Sequence, residues 1–404
     1  MSKSEDVIAP NKDVGSFNQK SRGSLLELGL IFLRLGAIGF GGPAAHIAMM
    51  EEEVVKRKKW LTHEYFLDLL GASNIIPGPN STEMAIHIGY VRAGWKGVVI
   101  AGSCFIFPAV IITLIFAQLY VEYSTFPHVG EFIWGIRAAV IAVILAAGFR
   151  LGKPMLKKPF AALVAATVCA LSLFHTGEIT LLFSAGILGI LWENRNRWKQ
   201  SRSTILLTSI LPVILIQAIP LTSPAVAATP TLTALGIFFI KIGSILYGSG
   251  YVLVAFLQTG LVEFNHWLTQ KQLLDAIAVG QFTPGPVLST ATFVGYLILG
   301  FPGASVSTVG IFLPSFVFVL VSAPFIPKLR KSSVAAGFLN GVNAASLGLM
   351  LAVCISLCTS TLTNVGSWLI FAIAAIVVIL WNIHAAWIVG GAAFLGWLIS
   401  AFGI

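Results

Sequence analysis

Two stretches of this chain, NIIPGPNST at 74–82 and QFTPGPVLST at 281–290, set Pro-Gly-Pro between apolar segments. No helix runs through that triplet undisturbed, and no interior strand tolerates it. The surroundings are too apolar for these to be ordinary surface turns. The chain is 57% hydrophobic and 10% charged, against about 25% charged in a soluble domain. Runs such as 97–120, 131–150, 301–322 and 332–357 approach the ~20 apolar residues that cross a bilayer. The fold class this dictates is an all-α polytopic membrane protein with broken or re-entrant helices.

The two breaks belong to a longer repetition. At a shift of 207 residues, Trp60-Leu61-Thr62 falls on Trp267-Leu268-Thr269, Asp68 on Asp275, and Pro77-Gly78-Pro79 on Pro284-Gly285-Pro286. At 206, Gly89-Tyr90 falls on Gly295-Tyr296, Pro108 on Pro314 and Gly135 on Gly341. The chain thus divides into a polar tail at 1–23, a first repeat at 24–203 and a second at 204–404.

Charge gives the relative orientation. Of the 25 Lys and Arg residues, 20 lie in 1–203 and 5 in 204–404. The basic clusters of the first repeat, at 56–59, 92–96 and 150–158, have nearly uncharged mates. The one basic cluster of the second repeat, at 328–331, mates with a segment at 122–125 that has an acid and no base. The positive-inside bias changes sides, so equivalent loops face opposite compartments and the repeats are inverted. Crossings at 97–120, 131–150, 158–174, 178–193 and 204–219, then 301–322, 332–357, 366–381 and 384–402, fit if modules 24–96 and 232–300 contribute an even number. The tail is expected to be cytoplasmic, since it lacks the apolar core of a signal peptide.

Backbone freed from helix in hydrocarbon is tolerated only where it lines a cavity or lies within protein. Inverted repeats with interrupted helices at matching positions are the common plan of secondary transporters, with substrate between the repeats. Pro77, Gly78 and Pro79 would release amides, and a helix can restart at Asn80, with Ser81 and Thr82 in its first turn. The positive end of that helix favours an anion. Pro284, Gly285 and Pro286, with Ser289 and Thr290, offer the second copy. Gly41 and Gly42, in GFGGP at 39–43, mark a further break that allows close backbone approach.

GFGGPAAHIAMMEEEVV followed by WL, IIPGPNSTEMAIHIGY with AGWKG, and FIFP resemble the chromate ion transporter family in its long-chain, two-domain form. The second repeat is the more divergent, with YGSG where the first has FGGP. The resemblance covers about Ser24 to the end. It implies transport of chromate, and in some members sulfate, across the cell (inner or plasma) membrane. It further implies efflux giving resistance, driven by membrane potential or a proton gradient.

A tetrahedral dianion calls for amides, hydroxyls and one or two cations. Arg34 lies inside the apolar run 25–40, and its repeat mate is Lys241. Intramembrane cations are functional candidates by default, the plainer reading being snorkelling or an ion pair with Glu27. Arg137 is the second choice, because its mate is Asn343 and a symmetric role fails. Glu83 would repel a dianion unless protonated, which suits proton coupling; the plainer reading is a first-turn acid supporting the helix dipole. His46 and His87 join it as proton-coupling candidates. Asp68 and Asp275 read best as polar pairings that fix their modules.

The expected partners are the oxyanion and the lipid bilayer, with a second copy of the chain as an assembly. Nucleic acid is not among them, because basic cytoplasmic loops account for the net charge of +9. No cofactor or metal is called for. The four cysteines sit in apolar stretches without accompanying ligands. Neither GxSxG, HExxH nor a P-loop occurs, which argues against an intramembrane enzyme or an ATP-driven pump. An oxyanion uptake carrier and an anion channel are the alternatives to efflux.

Overall fold

The computed structural model describes residues 24–124, 126, 129–155, 157–174, 176–198, 229–247, 250–323, 332–381 and 383–401. The tail at 1–23, the crossing at 204–219 and the cluster at 328–331 lie outside the described residues. The first repeat runs α1 (Leu25–Ile38), α2 (Gly42–Glu51) continued by a π-helical turn over Glu52–Arg57, α3 (His63–Ser73), α4 (Asn80–Tyr123), α5 (Val129–Met155), α6 (Pro159–Leu173) and α7 (Glu178–Trp198). The second runs α8 (Leu232–Ile245), α9 (Leu253–Leu257) continued by a π-helical turn over Gln258–Phe264, α10 (Gln270–Phe282), α11 (Thr290–Ser322), α12 (Ser333–Thr361), α13 (Val365–Trp381) and α14 (Ala385–Ala401).

Fine detail repeats with the sequence. Thr62 and Thr269 cap α3 and α10, each hydroxyl accepting a backbone N–H, and Gln272 completes a capping box. Lys59 and His266, 207 residues apart, both hold positive φ, at 53° and 52°. α4 and α11 each bend sharply, at Gly94 (φ 60°, ψ −146°) and Gly300 (φ 64°, ψ −151°). That backbone is open to glycine alone at little cost. Across the bend, Gly89 lies against the Gly97 carbonyl, and Gly295 against that of Gly303. Eight residues of straight helix would separate such a pair by about 12 Å. Each of these helices is therefore two antiparallel arms.

The breaks turn the chain back rather than across. Glu27, at the start of α1, pairs with Lys58 just past the π-turn that follows α2, at 2.7 Å. Arg92, at the end of the short arm of α4, lies 4.7 Å from the ring centre of Trp60, which precedes α3. Both contacts tie the two ends of a hairpin to one face. The short arm at 80–92 is about 20 Å long, and the hydrocarbon about 30 Å thick. Two re-entrant hairpins result, with tips at 39–41 and 74–79, and module 24–96 begins and ends on one face.

The long arms, in contrast, span. α4, α5, α11 (with the turn at 287–289) and α12 are long and apolar enough to cross a membrane. Thr113 donates to Ser289 at 3.2 Å, and Tyr120 packs on Phe293 at 5.4 Å between ring centres. The long arm of α4 thus runs parallel to the short arm of α11, hence antiparallel to α11's long arm. Equivalent helices point in opposite directions, which is the inverted relation. The repeats also interlock: α12 packs on α6 and α7, and α5 on α13 and α14. Glycines set the approach, with Gly135 against the Ala392 carbonyl and Gly341 against that of Ala185.

Candidate functional site

The hairpin tips of both repeats meet in the interior. The Gly78 amide donates to the Leu246 carbonyl at 2.7 Å, and the Gly285 amide to the Gly39 carbonyl at 2.8 Å. Leu246 is 207 residues beyond Gly39, as Gly285 is beyond Gly78, so this is one contact made twice about a pseudo-two-fold axis. It supplies partners to backbone that the prolines freed, as burial requires. It also corrects an expectation: the Gly78 and Gly285 amides serve the contact between tips. The donors left beside the first break belong to the opening turn of α4, where Asn80 and Ser81 precede the first intrahelical bonds. The Thr82 and Glu83 amides already reach the Pro79 carbonyl, at 2.8 and 3.0 Å.

Side chains converge on the first break more than on the second. A Cβ added to Gly78, at φ 142°, would meet both the Glu83 carboxyl and the Ser315 hydroxyl. Both Glu83 oxygens, the Thr82 and Ser315 hydroxyls and both His87 ring nitrogens are buried without a hydrogen-bond partner among the described residues. Tyr247, at the facing tip, lies within electrostatic reach of Glu83. Buried polar atoms are rarely left so. At the second break the same positions are quiet. Gly285 faces the Ala109 methyl, the Thr290 hydroxyl turns back to the Val287 carbonyl at 2.8 Å, and the Ser289 oxygen accepts from Thr113. The orphaned chemistry is thus concentrated at Gly78.

Ser315 and Tyr247 were not among the residues expected from sequence. Ser315 follows the repeated Pro108/Pro314 position, where the first repeat has Ala109, and that exchange of alanine for serine was the available signal. Several expected residues lie elsewhere. α1 buries Leu28, Phe32, Leu35 and Gly36, with Gly36 against the Phe105 backbone. That rotation puts Arg34 on the exposed outer face. Lys241 has the same place on α8, half-buried within electrostatic reach of Glu178, which accepts a hydrogen bond from Thr259. The two cations therefore do not form a pair at the breaks, and Glu27 serves Lys58 rather than Arg34.

Arg137 is also engaged. Its Nε and an Nη donate to the two Asp275 oxygens, both at 2.8 Å, and the Tyr120 hydroxyl donates to the same carboxylate at 2.7 Å. His46 bonds the Gly39 carbonyl through Nε2 at 2.8 Å and packs edge-on against Phe105, so it holds a hairpin tip in place. Gly41 and Gly42 both have positive φ, 117° and 74°, and a Cβ on Gly42 would meet nothing within 4 Å. Both shape the turn; a Cβ on Gly41 would lie 2.8 Å from the Ala45 side chain, whereas Gly42 shows no close approach. Asn80 donates to Asn74 at 2.6 Å, closing the first break. Beside these two, an open cavity of about 420 Å³ extends between the break and α12. No group of three or more potential metal ligands occurs among the described residues.

Comparison with known proteins agrees with this architecture. The family model described as chromate transporter matches twice, over residues 26–190 and 233–397. A chromate transport protein of Cupriavidus metallidurans is 32% identical over 394 residues, covering 95% of each chain. A probable chromate transport protein of Synechococcus elongatus is 31% identical, covering 87% of this chain and 89% of its own. An uncharacterized transporter of Methanocaldococcus jannaschii is 26% identical over 362 residues. No solved structure matches the chain.

Proposed function

The chain belongs to the chromate transporter family, and from that premise we propose that it is a secondary carrier of chromate, with sulfate as a competing dianion. The carrier sits in the cell membrane with its tail and basic face toward the cytoplasm, and it works by alternating access. The repeats at 24–203 and 204–404 rock against each other about the meeting hairpin tips. The observation that carries the reading is the cluster at Gly78: an unpaired carboxyl, two unpaired hydroxyls and the start of a helix, all buried between inverted repeats.

In this reading the oxyanion rests against the first turn of α4. The amides of Asn80 and Ser81 and the hydroxyls of Thr82 and Ser315 donate to it. Glu83 occupies the same ground, and a carboxylate cannot share it with a dianion. The carboxyl is therefore protonated when the anion is bound, and proton and anion move together. One proton with a dianion leaves one net negative charge per cycle, so an inside-negative membrane potential drives the anion out.

Chromate flux into inside-out vesicles, with the potential and the pH gradient imposed in turn, tests this. Wild-type flux should follow both gradients and fall when sulfate is added. Glu83→Gln should still carry chromate but lose its response to the pH gradient. A Glu83→Gln carrier that keeps the wild-type pH response would remove Glu83 from proton coupling. Unitary currents in place of saturable flux would replace the carrier by a channel.

A further inference from the structure

We infer that the cavity beside the first break is a second oxyanion-binding station, which takes the anion from the basic face and hands it to Gly78. The inference rests on the transport reading above. The cavity, about 420 Å³, is lined on its polar side by Asn74 and Asn80 from the break and by Asn340, Asn343 and Ser346 from α12. Ser346 is 6% exposed and its hydroxyl has no partner among the described residues. Asn340 and Asn343 make no hydrogen bond to a described residue. Carboxamide N–H and hydroxyl groups donate readily to the oxygens of a tetrahedral anion. The positive end of α4 begins at Asn80 itself. No carboxylate lines the cavity, so a metal cation would find no anionic ligand there. The volume falls within the roughly 300–1,000 Å³ of ligand pockets and leaves room for an anion that keeps part of its water. Neutral donors bind a dianion more loosely than a fixed cation would, which suits a relay.

The station is written into differences between the repeats. Asn343 is the mate of Arg137, which on the opposite side is locked to Asp275 and Tyr120. Asn74 is the mate of Gln281, whose carbonyl accepts from the Tyr251 hydroxyl at 3.0 Å. A charged residue held in an ion pair thus stands at one of two matching places, and a neutral carboxamide facing the cavity stands at the other. Rocking alone would leave two sides of like composition, and these are not.

Full-length protein in vesicles of both orientations provides the test, with chromate flux started from each face at a clamped potential. For the double variant Asn340→Leu, Asn343→Leu, the KM at the basic face should rise about tenfold. The maximal rate, and the KM at the opposite face, should change by less than about twofold. Asn343→Gln, which retains the donors, should restore the wild-type KM, and this separates lost binding from misfolding. An unchanged KM at the basic face, or an equal rise at both faces, overturns the station while leaving transport intact. A wild-type protein that moves neither chromate nor sulfate would overturn the transport reading instead. Binding of labelled sulfate to the purified protein then decides the station separately: loss of that binding in the double variant supports it, and retention overturns it.

Discussion

At the scale of single residues, Gly78 joins a demanding backbone to polar neighbours. Its φ of 142° lies where a side chain is strained, and a Cβ would strike the Glu83 carboxyl and the Ser315 hydroxyl. Gly78→Ala should therefore abolish chromate flux while the protein still reaches the membrane. Gly285→Ala places a methyl 2.9 Å from the Ala109 methyl, with no polar group to displace. It should lower the yield of folded protein more than it alters the kinetics of what folds. Flux normalised to the amount in the membrane separates the two, and equal kinetic losses would argue against a one-sided site. Ser315→Ala, which recreates the Ala109 arrangement, should raise the KM for chromate by about tenfold or more, the effect of losing one hydrogen bond to a charged group.

At the scale of elements, the Arg137–Asp275–Tyr120 contact joins α5 of the first repeat to α10 of the second and closes the side opposite the cavity. Asp275 is 4% exposed. Removing only its cation leaves a buried charge, at a cost of about 3–5 kcal/mol. Arg137→Ala should lower the thermal midpoint of the purified protein, whereas the double variant Arg137→Met, Asp275→Leu should recover most of the loss. A double variant no better than the single one would mean that the pair matters for more than its charge balance. The hairpins rely on their caps in a similar way. Thr269→Ala removes the capping box of α10 and should cost about 1 kcal/mol.

The whole molecule is two re-entrant modules inserted from opposite faces, with their tips bonded in the middle. The described residues flanking the basic clusters support one shared face. Arg92 meets Trp60, Ala323 packs with the Leu28 and Trp60 cluster, and Ser333 donates to Asn194 next to Arg195. In a background without native cysteines, single cysteines at Lys96 and Ser332 should react with an impermeant reagent from one side of the membrane. Cysteines at Phe126 and Thr363 should react from the other. Labelling of Lys96 and Ser332 from different sides would contradict the inverted arrangement.

Sequence alone determined whatever is local or periodic: the helical membrane class, the offsets of 207 and 206 residues, the breaks at both Pro-Gly-Pro triplets and the family. Hydropathy, proline chemistry and repetition need no neighbours in space. Tertiary packing decided the rest. The rotation of α1 against Phe105 turned Arg34 outward, the bend at Gly94 turned the first module back, and Asp275 met Arg137 across 138 residues of chain. Ser315 and Tyr247 reached Gly78 only because inverted repeats bring distant segments together. Such contacts depend on helix rotation and depth, and the pattern of a helix states which residues share a face but not what that face will meet.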